Sequence, residues 1–372
     1  MPEVTLKDVA SRAGVSIATV GRVLHQNGYV SPSTKRRVDK AIRDTGYRLN
    51  AVAQGLRRKR TITMGLVLHG IMPNPFFAEV AMGAENAAVE QGFKVLIFNA
   101  RGEASRERDG VETFLTQRVD AIIFTAALQR DSVQAALDAG ISVVEIGRQL
   151  CESSGSVVAD NYQGATRAMA YLLELGHERI GYIGEPYTFL SASGDAQVDR
   201  IVAERFDAYR DSLSGAGLAL NEDYIVLGAY PRERGGWGSV ETGARYMAQL
   251  LKQSCELTAV FTASDLLAAG ALQTLYEQEV RVPRDISLVG FDDTYARHLA
   301  PPLTTVRQPM FEMGLRAASL AIDLITDGTP LPRTERCATE LVVRESTAAP
   351  IGSRGSPYPR RLDYQREGVR PS

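Results

Sequence analysis

Residues 4–24, VTLKDVASRAGVSIATVGRVL, read as two short helices joined by a tight turn. Thr5 is placed to cap the first helix, and Asp8, three residues on, completes a capping box, while Leu6, Val9, Ala10 and Ala13 fall on one face. Gly14 ends that helix, Val15 can bury in the turn, and Ser16 stands at the N-cap of a second helix. The apolar positions of that helix are Ile17, Val20, Val23 and Leu24. This is a helix-turn-helix pattern, although its periodicity alone fits any small helical hairpin as well as a DNA reader.

Charge separates the two. Residues 1–60 hold 13 Lys and Arg against 4 acidic residues, a net +9, while the whole chain carries −2, so the remainder carries −11. A basic head on an acidic body places the attraction for phosphate in the first sixty residues. Ser31 as N-cap and Pro32 at the first helical position predict a third helix running to Thr45 and stopped by Gly46, with Val38, Ala41 and Ile42 closing a small core. The following segment, NAVAQGLRR at residues 50–58, contains helix formers but also Gly55, and is too short to be helical alone.

The sequence from residue 4 to 24, continued by VSPSTKRRVDKAIRDTGYRLNAVAQGLRR at 30–58, resembles the DNA-binding head of the lactose repressor (LacI/GalR) family of bacterial transcription regulators. The likeness continues through NPFF (74–77), DN (160–161), LGHERIGYIG (175–184), SDLLAAGAL (264–272), VGFDDT (289–294) and PPLTTVRQP (301–309). It implies that Ile17, Ala18 and Arg22 read bases, Arg22 by pairing bidentately with a guanine. Thr5, Ser16, Thr19, Tyr29 and Ser31 complete the implied contact surface of the head, mostly toward phosphate. Gly21 stands where the family usually has a serine. Residues 50–60 match the family's hinge helix, in which Leu56 takes the place of the leucine wedged into the minor groove and Asn50 and Ala53 lie beside it.

From residue 61 the texture becomes alternating strand and helix. The runs ITMGLVLHG, FKVLIFNA, DAIIFTAA, ISVVEIG, SVVAD, RIGYIG, TAVFTAS and ISLVGF are short and rich in β-formers, and most are separated by helical stretches, a pattern of parallel sheets flanked by helices. The predicted fold is therefore α/β: a helix-turn-helix head at 1–49, a hinge at 50–60, and a core at 61–346. The resemblance implies that this core is bilobed and periplasmic-binding-protein-like (type I), with two parallel sheets. Chain crossovers are expected near Asp160, Asp292 and Thr305, giving lobe one as 61–160 with 295–325 and lobe two as 161–292 with 335–346. Residues 347–372, rich in Pro, Gly and Arg and without heptads, read as a disordered tail.

A cleft between two such lobes binds small molecules at the carboxyl ends of the strands. Asn74, Phe76 and Phe77 follow the first strand, and Arg148 follows VVEIG. Set against the family pattern, RFDAY at 205–209 makes Arg205 the effector-binding arginine and SDLL makes Asp265 a hydrogen-bond acceptor for ligand hydroxyls. The implied partners are double-stranded operator DNA, a sugar or related metabolite as effector, and a second copy of the chain.

No phosphate loop, zinc-type histidine spacing or nucleophile elbow occurs, so neither an enzyme nor a cofactor or metal is expected. Three cysteines, Cys151, Cys255 and Cys337, are odd in number and far apart, which suggests no disulfide framework. No apolar run reaches the roughly 20 residues of a membrane span, and the N-terminus lacks the apolar core of a signal peptide. The expectation is a cytoplasmic regulator, which separates it from a solute receptor or sugar-processing protein of the same bilobed fold.

Overall fold

The computed structural model describes residues 4–25, 27–47, 60–70, 74–184, 188–190, 196–198, 200–228, 239–254, 256–326 and 333–351. It divides into two units, with the boundary between Thr61 and Ile62. The hinge positions Asn50, Ala53 and Leu56, and residues 352–372, lie outside the described residues.

The first unit is three helices, α1 (Leu6–Ala13), α2 (Ile17–His25) and α3 (Pro32–Thr45). Their ends follow the sequence signals. The Asp8 carboxylate accepts the Thr5 backbone N–H at 2.8 Å, Gly14 takes the left-handed conformation at φ 64°, and Ser31 Oγ accepts the Thr34 N–H at 3.3 Å. Val9, Ala10, Ala13, Val20, Val23, Val38 and Ala41 form the buried core, with Leu6, Val15, Leu24 and Ile42 packed on it.

The second unit contains two six-stranded sheets. In chain order its elements are β1 (Thr63–Leu68), α4 (Phe76–Glu90), β2 (Lys94–Asn99), α5 (Ala104–Gln117), β3 (Ala121–Thr125), α6 (Arg130–Asp138), β4 (Ser142–Ile146) and β5 (Gly155–Ala159). There follow α7 (Asn161–Glu174), β6 (Ile180–Gly184), the short hairpin β7 (Thr188–Leu190) and β8 (Ala196–Val198), α8 (Arg200–Gly215), β9 (Ile225–Leu227), α9 (Val240–Gln253) and β10 (Ala259–Thr262). The last are α10 (Asp265–Glu277), β11 (Ser287–Asp292), β12 (Thr304–Arg307), α11 (Met310–Thr326), β13 (Thr334–Cys337) and β14 (Glu340–Val342).

Sheet one has the order β13-β5-β4-β3-β1-β2 and is parallel throughout; sheet two has the order β14-β12-β11-β10-β6-β9 and is parallel except at the edge strand β14. The chain passes between the sheets after β5, after β12 and between β13 and β14. The crossover expected at Asp292 is therefore corrected: β11 leads through Ala296, Leu299 and Leu303, packed in the core of the second lobe, to its neighbour β12 in the same sheet. Residues 295–307 belong with lobe two rather than lobe one, and β13, expected in lobe two, is an edge strand of sheet one. Thr347 and Ala348, expected in the disordered tail, are instead held to lobe two: the Ala348 carbonyl accepts from Ser287 Oγ at 2.9 Å and Thr347 Oγ1 bonds the Tyr171 hydroxyl at 3.0 Å.

Both lobes bury strands that are apolar on both faces, as parallel sheets between helices require. In lobe one α4 crosses α11 so closely that a Cβ on Gly83 would lie 2.0 Å from the Phe311 carbonyl oxygen, and one on Gly314 would lie 2.1 Å from that of Val80. Glycine at this pair of positions lets the two backbones touch.

Candidate functional site

The carboxyl ends of both sheets face one cavity, partly open to solvent. Lobe one contributes Asn74 just before α4, Phe76 and Phe77 from its start, Ala126 after β3, Ile146 at the end of β4 and Gly147 beyond it. Lobe two contributes Asn161 from the start of α7, Ile201 and Arg205 from α8, and Asp292 at the end of β11, with Gln308 beyond β12.

Arg205, 4% exposed, is fixed on several sides. Its Nε donates to Asn161 Oδ1 at 3.0 Å and its NH1 to the Ala263 carbonyl at 2.5 Å, while the guanidinium lies 3.7 Å from the centroid of the Phe291 ring. NH1 also lies 3.6 Å from Asp292 Oδ1, which accepts from Gln308 Nε2 at 2.6 Å. The Asn74 side chain bonds Asp292 from the opposite lobe. Burial pushes the Asp292 carboxyl up to about 6, against the opposing pull of the Arg205 charge and the two amides. Phe76 and Phe77 meet edge to face at 5.2 Å, and Phe77 stacks on His69 at 5.3 Å. A carboxylate acceptor, a guanidinium, three amides and phenyl faces in one cleft suit a small neutral molecule with several hydroxyls and an apolar ring face.

Of the residues expected to bind an effector, Asn74, Phe76, Phe77 and Arg205 line this cavity. Arg148 and Asp265 do not, and both expectations are corrected. The Arg148 side chain, though it follows β4, turns under the floor, where NH1 donates to the Ala127 carbonyl at 3.1 Å, and its charge lies near the buried Glu107 carboxylate. Asp265 is wholly buried between strands: Oδ2 accepts the Thr294 N–H at 2.8 Å and Oδ1 accepts from Thr305 Oγ1 at 2.6 Å. Asn161, Asp292 and Gln308 were missed as site residues. Their signals lay in the DN, VGFDDT and VRQP motifs.

In the head, Ile17 (50% exposed), Ala18 and Arg22 share an exposed face of α2, and Tyr29 is 88% exposed. The hydroxyls of Thr5, Ser16 and Ser31 are engaged in caps: Thr5 Oγ1 donates to Asp8 at 2.7 Å, and Ser16 Oγ bonds Thr19 Oγ1 at 2.9 Å and accepts the Thr19 N–H at 3.1 Å.

Residues 5–50 match the family described as bacterial regulatory proteins, lacI family, and residues 169–347 match a periplasmic binding protein-like domain. The HTH-type transcriptional regulator CelR of Thermobifida fusca is 34% identical over 351 residues, covering 92% of this chain and 98% of that protein. A solved CelR–cellobiose complex aligns with TM-score 0.68 at 33% identity, over 92% of this chain and all of that one. The lac repressor dimer bound to operator and the anti-inducer ONPF aligns with TM-score 0.78 at 25% identity, over 94% and 100% of the two chains.

Proposed function

The chain belongs to the lacI family of bacterial regulatory proteins, and from that premise we propose that its cleft takes a neutral, sugar-like ligand while its heads, in a dimer, hold a near-palindromic operator. It is a ligand-responsive, DNA-binding transcription regulator, in a family of regulators rather than enzymes. The observation that carries the ligand reading is the convergence of Asp292, Arg205, Asn74, Asn161 and Gln308 around phenyl rings at the junction of two lobes. A molecule held from both lobes favours one lobe arrangement over another, and its effect on DNA affinity is limited to that preference, typically about 1–3 kcal/mol.

The dimer reading is supported by β2, an edge strand of sheet one that exposes Leu96 and Ile97, and by α4, which exposes Met82 and Val89. Apolar side chains on an unpaired sheet edge favour cover by a second copy. Two copies present two α2 helices, which suits two symmetric half-sites. Arg22 is assigned to a guanine, Ile17 and Ala18 to apolar base edges, and Leu56 to the minor-groove wedge. The action is repression of catabolic or transport genes, and the location is cytoplasmic; no helix among the described residues is long and apolar enough to cross a membrane.

The test is operator titration of the full chain with and without a panel of cellobiose, D-ribose and D-galactose. One sugar should shift the operator midpoint, and Arg205→Leu should abolish that shift. Leu56→Ala should weaken operator binding without changing sugar affinity in free protein. A panel that leaves operator binding untouched while binding elsewhere on the chain would sink the cleft assignment.

A further inference from the structure

The turn that presents Asp292 to the cavity is held in an unusual backbone shape. Asp292 has φ 117° and Asp293 φ 61°, both in the left-handed region that non-glycine residues avoid. Such a turn persists only where its surroundings over-determine it. Asp293 is clamped by Arg307 Nε at 2.8 Å and Arg344 NH2 at 2.6 Å, and Asp292 by Gln308 and by Asn74. The next residue, Thr294, is tied through its backbone N–H to Asp265 Oδ2. Asp265 reaches that position because Gly290 leaves room for it: a Cβ there would lie 2.5 Å from Asp265 Oδ1.

The charges around these acids differ. Asp292 faces Arg205, which also lies near Glu204; Asp293 faces Arg307 and Arg344, and Arg307 is shared with Glu340. Asp265 faces Asp292 and Asp293, and both its oxygens are taken by uncharged donors, the Thr294 amide and the Thr305 hydroxyl. An ionised carboxylate so placed, wholly buried beside two other acids, is far costlier than a neutral one. A proton on Oδ1 can sit on the short line to Thr305 Oγ1, with that hydroxyl turned to accept, while Oδ2 keeps the Thr294 N–H.

We propose that Asp265 is a positioning residue: it carries its proton at neutral pH and, as a neutral carboxyl, pins the left-handed turn that aims Asp292 into the cleft. The role of Asp292 as ligand acceptor rests on the cleft being the effector site, as proposed above. Burial, and then the Asp292 charge, hold the Asp265 carboxyl well above the ordinary carboxylate range, and the Asp292 carboxyl reaches about 6. With Asp265 neutral, Asp292 is the acid of the pair that titrates at the acid edge of the physiological range. A hydroxyl ligand needs Asp292 as an acceptor, so protonation of Asp292 weakens binding.

The full chain tests this in two arms. Infrared spectra at pH 7.5 should show a protonated-carboxyl stretch that Asp265→Asn removes and Asp292→Asn leaves. Asn is the close mimic of the protonated acid, with Oδ1 accepting the Thr294 N–H and Nδ2 donating to Thr305. A spectrum without that band, or a band that survives Asp265→Asn, overturns the proposal. In the second arm, whichever of cellobiose, D-ribose or D-galactose binds is titrated by calorimetry between pH 8 and pH 5. Its dissociation constant should rise about tenfold from pH 7 to pH 5. Asp265→Asn should keep the affinity within about twofold and leave the midpoint in place, while Asp265→Ala should lose about tenfold or more at every pH. Equal losses in the Asn and Ala variants, or a flat pH profile in the parent, also overturn it. If none of the sugars binds, the effector reading fails for those sugars alone, and the infrared band still decides whether Asp265 holds the proton.

Discussion

The side chains assigned to DNA contact and those that converge on the cleft differ most in where they stand relative to a core. Ile17 is 50% and Tyr29 88% exposed on the head, whereas Arg205 and Asp292 are each 4% exposed between the lobes. An exposed recognition surface can change its chemistry without touching the fold beneath it. A buried site is part of the packing, so each polar group there must be matched, and altering one disturbs both binding and stability. The largest break in this comparison should come from Arg205→Leu. It removes the cation beside Asp292 and the ring stack on Phe291, and breaking a buried pair from one side costs about 3–5 kcal/mol. Urea unfolding of the effector-binding unit should shift accordingly, together with loss of ligand response. An unfolding midpoint equal to the parent's would mean that the cleft tolerates an unmatched acid and the contrast with the head is false.

Acid should sharpen the contrast through a group remote from the cleft. His177 is buried in lobe two, with Nδ1 2.9 Å from Thr258 Oγ1 and Nε2 2.9 Å from the Ala348 carbonyl, so its neutral form with the proton on Nε2 ties the final described segment to the lobe. Burial lowers its pKa to about 4. The unfolded chain, with an ordinary imidazole, therefore binds this proton first. Between about pH 6.5 and 4 the unfolded state holds more protons, and stability falls as the pH falls, by up to about 3 kcal/mol in all. Thermal unfolding in that window should show the slope, and His177→Gln should flatten it. An unchanged slope in the variant would assign the acid sensitivity elsewhere.

The same difference in burial explains what could be read from sequence. The head was legible almost residue by residue because its signals are local: Thr5 with Asp8, Gly14, Ser16, Ser31 with Pro32, and Gly46 each mark a helix end and act within a turn of it. The strands of the core were legible as apolar runs for the same reason. The cleft required knowing which way side chains point at the ends of adjacent parallel strands. SDLL and VGFDD both place an acid there, and the family pattern singles out Asp265. The structure turns Asp265, the first residue of α10, inward toward Thr305, and leaves Asp292 facing the cavity on a backbone conformation that no propensity predicts. The crossover near Thr305 was legible, whereas the one at 338–339 was hidden because β13, TERC, is a short edge strand with the alternating charges of a loop.

On the exposed side, Arg22→Ala should cost about 1–3 kcal/mol of operator affinity and relax one base position in each half-site. Its side chain is exposed on α2, so the unfolding transition should not move. Fluorescence titration against single-base operator variants would check the first expectation and calorimetric melting the second. A variant that bound every operator as the parent does would remove Arg22 from the set of base readers. A lowered melting temperature would show that the recognition face is not independent of the head's packing.

The smallest change tests that independence most directly. Gly21 lies inside α2, one residue before Arg22, where a Cβ would meet nothing within 4 Å and the backbone is not left-handed. Nothing in the free head therefore requires glycine, and Gly21→Ala should stabilise the helix by about 1 kcal/mol through propensity alone. If the recognition face is separable from the fold beneath it, operator affinity should stay at the parent's level while the head melts later. If operator affinity falls although the head is more stable, the duplex must approach the helix backbone at Gly21 more closely than a methyl group allows. The position would then be shaped by DNA rather than by the protein, and the departure from serine at this point would mark a closer docking of α2 in the groove. Paired melting and operator titration on the one variant separate the two outcomes, since the first raises stability alone and the second moves stability and affinity in opposite directions.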